Sequence, residues 1–238
     1  MQNKKTGYLT IEELAELLSV NKKTIYKMVK EGSVPFIKVG KQYRFDSQEV
    51  IDSMKKGKAP ILERMKLMEN TYKKRLLFAG FLTNMLKKER IKPIVVGGNA
   101  VAFYTAGGYA TGDIDIVIGD TKKAEKIMKS IGFKKSGKGY ISKELDLFVK
   151  FPSGTLAGSM ERVVEVEIEE YRVFIIGIED IIQDRLNAYI HWKSRDDFEW
   201  AKQMAVLNKK EIDWKYLKKR STEEKTAEAF EKLKKEIK

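Results

Sequence analysis

Apolar residues recur at helical spacing at Ile11, Leu14, Ala15 and Leu18, and Thr10 with Glu13 just ahead of them forms a capping-box pair. Ser19-Val20-Asn21 breaks that helix, and Asn21 can cap a second one running through Lys30. Gly32 and Pro35 predict its end. Phe36 to Val39 and Gln42 to Phe45 then alternate around Gly40-Lys41, which predicts a short hairpin. Asp46 with Glu49 opens a further helix containing Val50 and Ile51. The predicted order is helix, turn, helix, hairpin, helix.

Gly57-Lys58-Ala59-Pro60 reads as a linker. Beyond it, Ile61, Met65, Met68, Tyr72, Leu76, Ala79, Leu82 and Leu86 repeat every three or four positions. That period predicts a long amphipathic helix with a basic outer face, broken near Asn70 or Gly80. After Lys92-Pro93 strands and helices alternate. Strands are expected at Ile94–Val96, Ile114–Ile118 and Leu145–Phe151, with helices at Asn99–Tyr104 and from an Asp120 cap to Ile131. Val163–Ile168 and Tyr171–Ile176 predict a hairpin, and the chain is helical from Glu179 onward. Ser221 with Glu224 reads as a capping box for the last helix, and Trp192, Trp200 and Trp214 fall at core positions of helical patterns. The fold class is therefore α+β.

Composition narrows the setting. With 238 residues, 42% of them hydrophobic, the chain can build a small domain and a medium one. No apolar run approaches the length of a membrane span, and the first residues carry no secretion signal, so a cytoplasmic protein without a membrane partner is expected. Cysteine is absent, which excludes disulfides and thiolate metal sites. The formal charge of +13 points to an anionic partner. It is concentrated between Ser53 and Pro93, where 12 basic residues face 3 acidic ones. A Lys-rich, thermophile-type composition, with only 12 Asn and Gln and 34% charged residues, is the competing source of that charge.

In a helix-turn-helix the second helix enters the major groove and its early residues meet base edges. Here those residues are Asn21, Lys22, Lys23, Thr24, Tyr26 and Lys27, with Lys38, Lys41 and Arg44 on the hairpin as a wing that follows the backbone. The run Leu9-Thr10-Ile11-Glu12-Glu13-Leu14-Ala15, then Ile25 to Gly32, Pro35 to Gly40 and Tyr43-Arg44-Phe45, resembles the excisionase and MerR-like winged helix-turn-helix family. The resemblance implies a DNA duplex as partner.

The second part carries a different chemistry. Val95-Val96-Gly97-Gly98-Asn99 joins a strand to a helix through two glycines, a turn that lets a phosphate approach backbone N–H groups. In Thr111-Gly112-Asp113-Ile114-Asp115-Ile116 the two carboxylates lie two apart, hence on one face of a strand. Two carboxylates so close call for a cation. Asp146, between Leu145 and Leu147, offers a third ligand, and Glu165 and Glu167 are rival alternating carboxylates. Three carboxylates around divalent ions suit phosphoryl transfer. Ile94 to Phe151 thus resembles the DNA polymerase β-type nucleotidyltransferase superfamily, and Phe174 to Trp200 is similar to the helical part of small bacterial members, including abortive-infection toxin relatives.

The resemblance implies that Gly97, Gly98 and the following Asn99 hold the triphosphate, and that Asp113 and Asp115 bind Mg²⁺ or Mn²⁺. Asp146 completes the metal site or acts as base, and Arg185 meets a phosphate where relatives often carry Lys. The implied substrate is an NTP, and the acceptor hydroxyl, on RNA, protein or a small molecule, is open. The implied arrangement is a winged helix-turn-helix at 1–57, a linker and basic helix at 58–93, a nucleotidyltransferase core with a mixed sheet at 94–178, and a helical part at 179–238. A toxin–antitoxin or defence enzyme would use both parts; a regulator with an inactive, nucleotide-sensing transferase fold is the alternative.

Overall fold

The computed structural model of the chain describes residues 8–30, 32–40, 42–55, 60–152 and 155–237. The chain forms two compact units, which meet in sequence between Glu69 and Asn70.

In the first unit, α1 (Ile11–Leu17) begins with a complete capping box: the Thr10 amide donates to Glu13 Oε2 at 2.8 Å and the Glu13 amide to Thr10 Oγ1 at 3.2 Å. Helix α2 (Lys22–Lys30) starts where Asn21 Oδ1 accepts from the Thr24 amide at 2.8 Å. It ends at Gly32, whose φ of 62° only glycine adopts without strain. Strands β1 (Ile37–Val39) and β2 (Gln42–Arg44) pair antiparallel, and α3 (Ser47–Lys55) follows from the Asp46 cap. Ile11, Leu14, Ile25, Val29, Val34, Phe45 and Val50 form one buried cluster, and Leu9 pairs with Phe45 to tie the entry of α1 to the hairpin. Lys41 and, of the expected linker, Gly57, Lys58 and Ala59 lie outside the described residues, whereas Pro60 is the first residue of a helix. Helix α4 (Pro60–Lys66) closes the unit.

The second unit opens with α5 (Thr71–Leu86), capped by Asn70, whose Oδ1 accepts from the Lys73 amide at 2.9 Å. The expected long helix is therefore broken at Asn70, and Gly80 lies inside α5. A side-chain carbon at Gly80 would come within 2.7 Å of Tyr171 Cβ, so glycine there allows close approach to the sheet. The expected basic outer face is corrected in part: Arg64 and Lys73 are exposed, but two other cations are not. Lys74 and Arg75 are 5% and 9% exposed, because α5 packs into the interior of the unit.

Seven strands form a mixed sheet in the order β5-β6-β7-β4-β3-β9-β8. Strand β3 (Ile94–Val96), inside the sheet, runs antiparallel to the central strand β4 (Ile114–Val117) and parallel to β9 (Tyr171–Ile175). Helix α6 (Gly97–Tyr104) joins β3 to β4, and α7 (Thr121–Ser130) follows β4 from the Asp120 cap. Strands β5 (Lys134–Ser136) and β6 (Gly139–Ser142) form a hairpin that the period did not predict, since Lys134-Lys135-Ser136 is exposed throughout. Strand β7 (Leu147–Lys150) returns parallel to β4, and β8 (Val164–Ile168) pairs with β9 at the far edge. Helices α8 (Ile178–Trp192), α9 (Arg195–Leu207), α10 (Trp214–Glu223) and α11 (Ala227–Glu236) complete an α+β architecture.

The expected Ser221–Glu224 capping box does not form. Ser221 lies inside α10, fully buried, and donates to Gln183 Oε1 at 2.8 Å; Glu224 is the C-cap of α10. Trp192 is also corrected: at the end of α8 it is 80% exposed.

Candidate active site

The second unit gathers its chemistry where β3 passes into α6 beside the start of β4. Val96 and Asp115 are register partners on the antiparallel pair, so Asp115 faces the first turn of α6. Gly97 has φ of 58°, and a side-chain carbon there would lie 2.7 Å from Asp115 Oδ2. At Gly98 it would lie 2.9 Å from Thr111 Cβ and from Tyr109 Cε1. Both glycines thus admit the chain leading into β4, which is a closer constraint than approach of a phosphate alone.

Asn99, expected at the triphosphate, is wholly buried. Its Nδ2 donates to the Asp113 carbonyl and its Oδ1 accepts from Arg75 Nε at 2.9 Å. Its amide therefore anchors the backbone of Asp113 to a buried guanidinium on α5. Arg75 carried no signal in the sequence beyond its charge, because helical periodicity placed it on an outer face.

Their spacing placed both carboxylates on one strand; β4 begins at Ile114, so Asp115 lies on it and Asp113 in the bend just before it. Asp113 Oδ1 accepts from Thr111 Oγ1 at 3.0 Å, and Oδ2 is bonded to the Lys150 ammonium. Burial pushes the Asp113 carboxyl up, but the bonds from Lys150 and Thr111 outweigh it and hold its pKa below the ordinary value. Asp115 goes the other way. Burial and the neighbouring Asp113 charge raise it, against the opposing pull of Lys150 and Arg185.

Asp146 departs from the expectation. It lies in the exposed turn before β7 with φ of 51°, not on a strand, and among the described residues no group of three or more His, Cys, Asp or Glu side chains is placed to hold a metal. The register explains why. Ile114 pairs with Val149 and Asp115 with Lys150, so the residue beside the Asp pair on β7 is Lys150, four residues beyond Asp146. Glu165 and Glu167 are exposed on the edge strand β8. The donor set fits one divalent cation on Asp113 and Asp115, provided the Lys150 ammonium leaves Oδ2, and does not fit a three-carboxylate centre.

Arg185, on α8, is bonded on both sides: Nε to Asp184 Oδ2 at 3.1 Å and Nη1 to Asp197 Oδ1 at 2.7 Å. Its charge reaches Asp115, as does that of Asp184. Burial disfavours the Arg185 cation, yet the Asp184 and Asp197 carboxylates more than restore it.

In the first unit Lys22, Lys23, Tyr26 and Lys27 are exposed on α2, as is Asn21 just before it. Thr24 is half-buried and bonded, hydroxyl to Asn21 Oδ1 at 3.0 Å, so this pair serves first as a cap. Lys22 pairs with Glu12 at 3.0 Å. On the hairpin, Arg44 Nη1 donates to the Tyr43 carbonyl at 3.0 Å, and Tyr43 meets Tyr26 and Phe36 edge-on at centroid distances of 6.4 and 5.1 Å.

Residues 8–58 match a helix-turn-helix domain, and residues 79–237 match the family described as "Nucleotidyltransferase of unknown function (DUF6036)". The protein is thus an N-terminal helix-turn-helix domain fused to a domain of nucleotidyltransferase-like fold. Since the second match spans more than half of its length, the chain belongs to the family of nucleotidyltransferases of unknown function DUF6036. A Mycobacterium tuberculosis protein provisionally named as DNA-binding is 38% identical over 53 residues, 22% of this chain and 68% of its own length. The uncharacterized protein YvgK of Bacillus subtilis is 44% identical over 45 residues, 19% of this chain and 15% of its own. Among solved structures, an antigenic nucleotidyltransferase-like protein from Paracoccidioides brasiliensis covers 59% of this chain and 78% of its own at 16% identity, with a TM-score of 0.43. ANT(2")-Ia in complex with adenylyl-2"-tobramycin covers 64% and 97% at 12% identity, also with a TM-score of 0.43. No helix among the described residues is long and apolar enough to cross a membrane.

Proposed function

We propose that the protein binds duplex DNA through α2 and its hairpin and, at the Asp113/Asp115 site, transfers a nucleoside monophosphate from an NTP to an acceptor hydroxyl, breaking the α–β phosphate bond and releasing pyrophosphate and the hydroxyl proton. The observation that carries this reading is the packing of Asp115 against Gly97 at the head of α6, which sets one carboxylate beside a helix N-terminus with that of Asp113 two residues before it. That juxtaposition suits a metal-nucleotide: the N-terminal amides and dipole attract a phosphate, while the carboxylates attract its cation. A divalent ion, Mg²⁺ or Mn²⁺, held by Asp113 and Asp115 would supply Lewis acidity at the reacting phosphate. The chain's own contribution is positional. Thr111 and Asn99 fix Asp113, Gly97 lets Asp115 lie against the turn, and Asp184 with Asp197 fixes Arg185. Asn21, Lys22, Lys23, Tyr26, Lys27 and Arg44 form the DNA-facing surface, with Lys41 as the further wing cation. A self-regulating toxin–antitoxin or defence component of excisionase and abortive-infection type would use both units.

The second reading is a regulator whose transferase fold senses a nucleotide without reacting. The cation Lys150 beside the Asp pair, where a third carboxylate was expected, favours it. Labelled NTPs with Mg²⁺ and candidate acceptors separate the two. An enzyme transfers label, loses transfer in Asp115→Asn and keeps its DNA affinity. A sensor shows no transfer in the parent protein and an ATP-dependent DNA affinity, since a ligand that favours one state must couple to the other site. Transfer that persists in Asp115→Asn rejects the site.

A further inference from the structure

We propose that Lys150 is a phosphate-binding residue of this site: its ammonium neutralises Asp113 until a divalent cation arrives, and then turns to the triphosphate. The inference rests on reading the Asp113/Asp115 region as a nucleotide site.

Three observations carry it. The β4–β7 register sets the Lys150 backbone beside Asp115, so its side chain is anchored at the carboxylate pair by strand pairing and not by a loop. The ammonium is bonded to Asp113 Oδ2, yet the side chain remains 39% exposed, so it can be reached from solvent. Lysine has three donors on a flexible stem, so one bond to Asp113 does not exhaust it. Arg185, the cation expected to meet a phosphate, is by contrast committed to Asp184 and Asp197 on both sides of its guanidinium.

Charge accounting gives the order of events. The carboxylates of Asp113, Asp115, Asp184 and Asp197 against the cations of Lys150, Arg75 and Arg185 leave a net negative site, which attracts a divalent cation. An ammonium and a divalent ion cannot share Oδ2, because like charges in contact repel strongly. The ammonium is displaced but stays tethered above the site, where the incoming triphosphate is the new anion. Lys150 therefore opposes metal binding alone and favours binding of the metal-nucleotide.

Those opposite signs make the test. Calorimetry on the full chain compares the parent protein with Lys150→Met and Lys150→Arg, using Mn²⁺ alone and then α,β-methylene-ATP at saturating Mn²⁺. Lys150→Met should bind Mn²⁺ about tenfold more tightly and the analogue about tenfold more weakly, the scale of one charge-assisted hydrogen bond. Lys150→Arg should keep analogue affinity within about threefold of the parent. Analogue binding that is unchanged or tighter in Lys150→Met overturns the proposal, and so does Mn²⁺ binding that fails to tighten. An Asp113→Ala, Asp115→Ala protein run alongside isolates the underlying reading. If it binds the analogue as the parent does, or if the parent binds none, the nucleotide site itself falls and Lys150 with it.

Discussion

Replacing Asn99 tests the connection between the interior of the second unit and its site. The side chain is fully buried, receives the Arg75 guanidinium N–H at 2.9 Å and donates to the carbonyl of Asp113. Asn99→Ala removes a charge-assisted bond, which contributes about 1.5–3 kcal/mol, and a neutral one worth about 1 kcal/mol. It also leaves a cation, 9% exposed, without that acceptor. The expected loss is ~3 kcal/mol. For a unit of the length Asn70–Lys238, each kcal/mol moves Tm by about 2–4 °C, so the transition should fall by ~6–12 °C. Asn99→Asp separates the two bonds, because it can still accept from Arg75 but cannot donate to Asp113; about a third of the loss is expected. Scanning calorimetry of the full chain reads both variants. An Asn99→Ala transition within about 2 °C of the parent would refute the argument that Asn99 is a structural bridge.

Gly80→Ala should destabilise the second unit. Helix propensity favours alanine by about 1 kcal/mol, but the added carbon, 2.7 Å from Tyr171 Cβ, overpacks the α5–sheet contact at a cost of about 1–3 kcal/mol; a raised Tm would contradict this. DNA affinity should fall roughly 10³-fold between 50 and 200 mM salt if about six phosphates are neutralised, and Lys23→Ala and Lys27→Ala should weaken it more than Lys5→Ala, as a mobility-shift titration would read. Acid should destabilise the helical part through Glu224. Burial pushes this carboxyl up, but bonds from Asn187, Arg220 and Gln183 hold it below its ordinary 4.5. A carboxylate with a depressed folded pKa stabilises above its unfolded value, and that contribution is lost as pH falls through the folded one. Glu224→Gln should therefore flatten the loss of urea midpoint below about pH 4.5, and parallel curves for the two proteins would rule out this source.

Elements whose local signals agree were legible without a structure. The first unit is the clearest case: Thr10–Glu13, Asn21, Gly32 and Asp46 are caps and stops whose partners lie within a few residues, and each forms as its spacing requires. The same holds for the alternation at Ile114–Val117, since a strand's period of two needs no knowledge of its neighbours. What failed depended on distant partners. Strand register decided that Lys150, and not Asp146, stands beside Asp115, and no local pattern reports register between strands separated by a helix and a hairpin. Burial of Lys74 and Arg75 was likewise invisible, because charge ordinarily marks a solvated face until an interior acceptor is available. Ser221 gave a false cap signal for the same reason: its acceptor, Gln183, lies 38 residues away. The sequence by itself determined an α+β chain led by a helix-turn-helix domain, with most elements marked by local signals, and it set Asp113 and Asp115 two residues apart as a pair. Only the tertiary structure decided which charges meet that pair, because ion pairing and strand register are set by contacts between residues far apart in the chain.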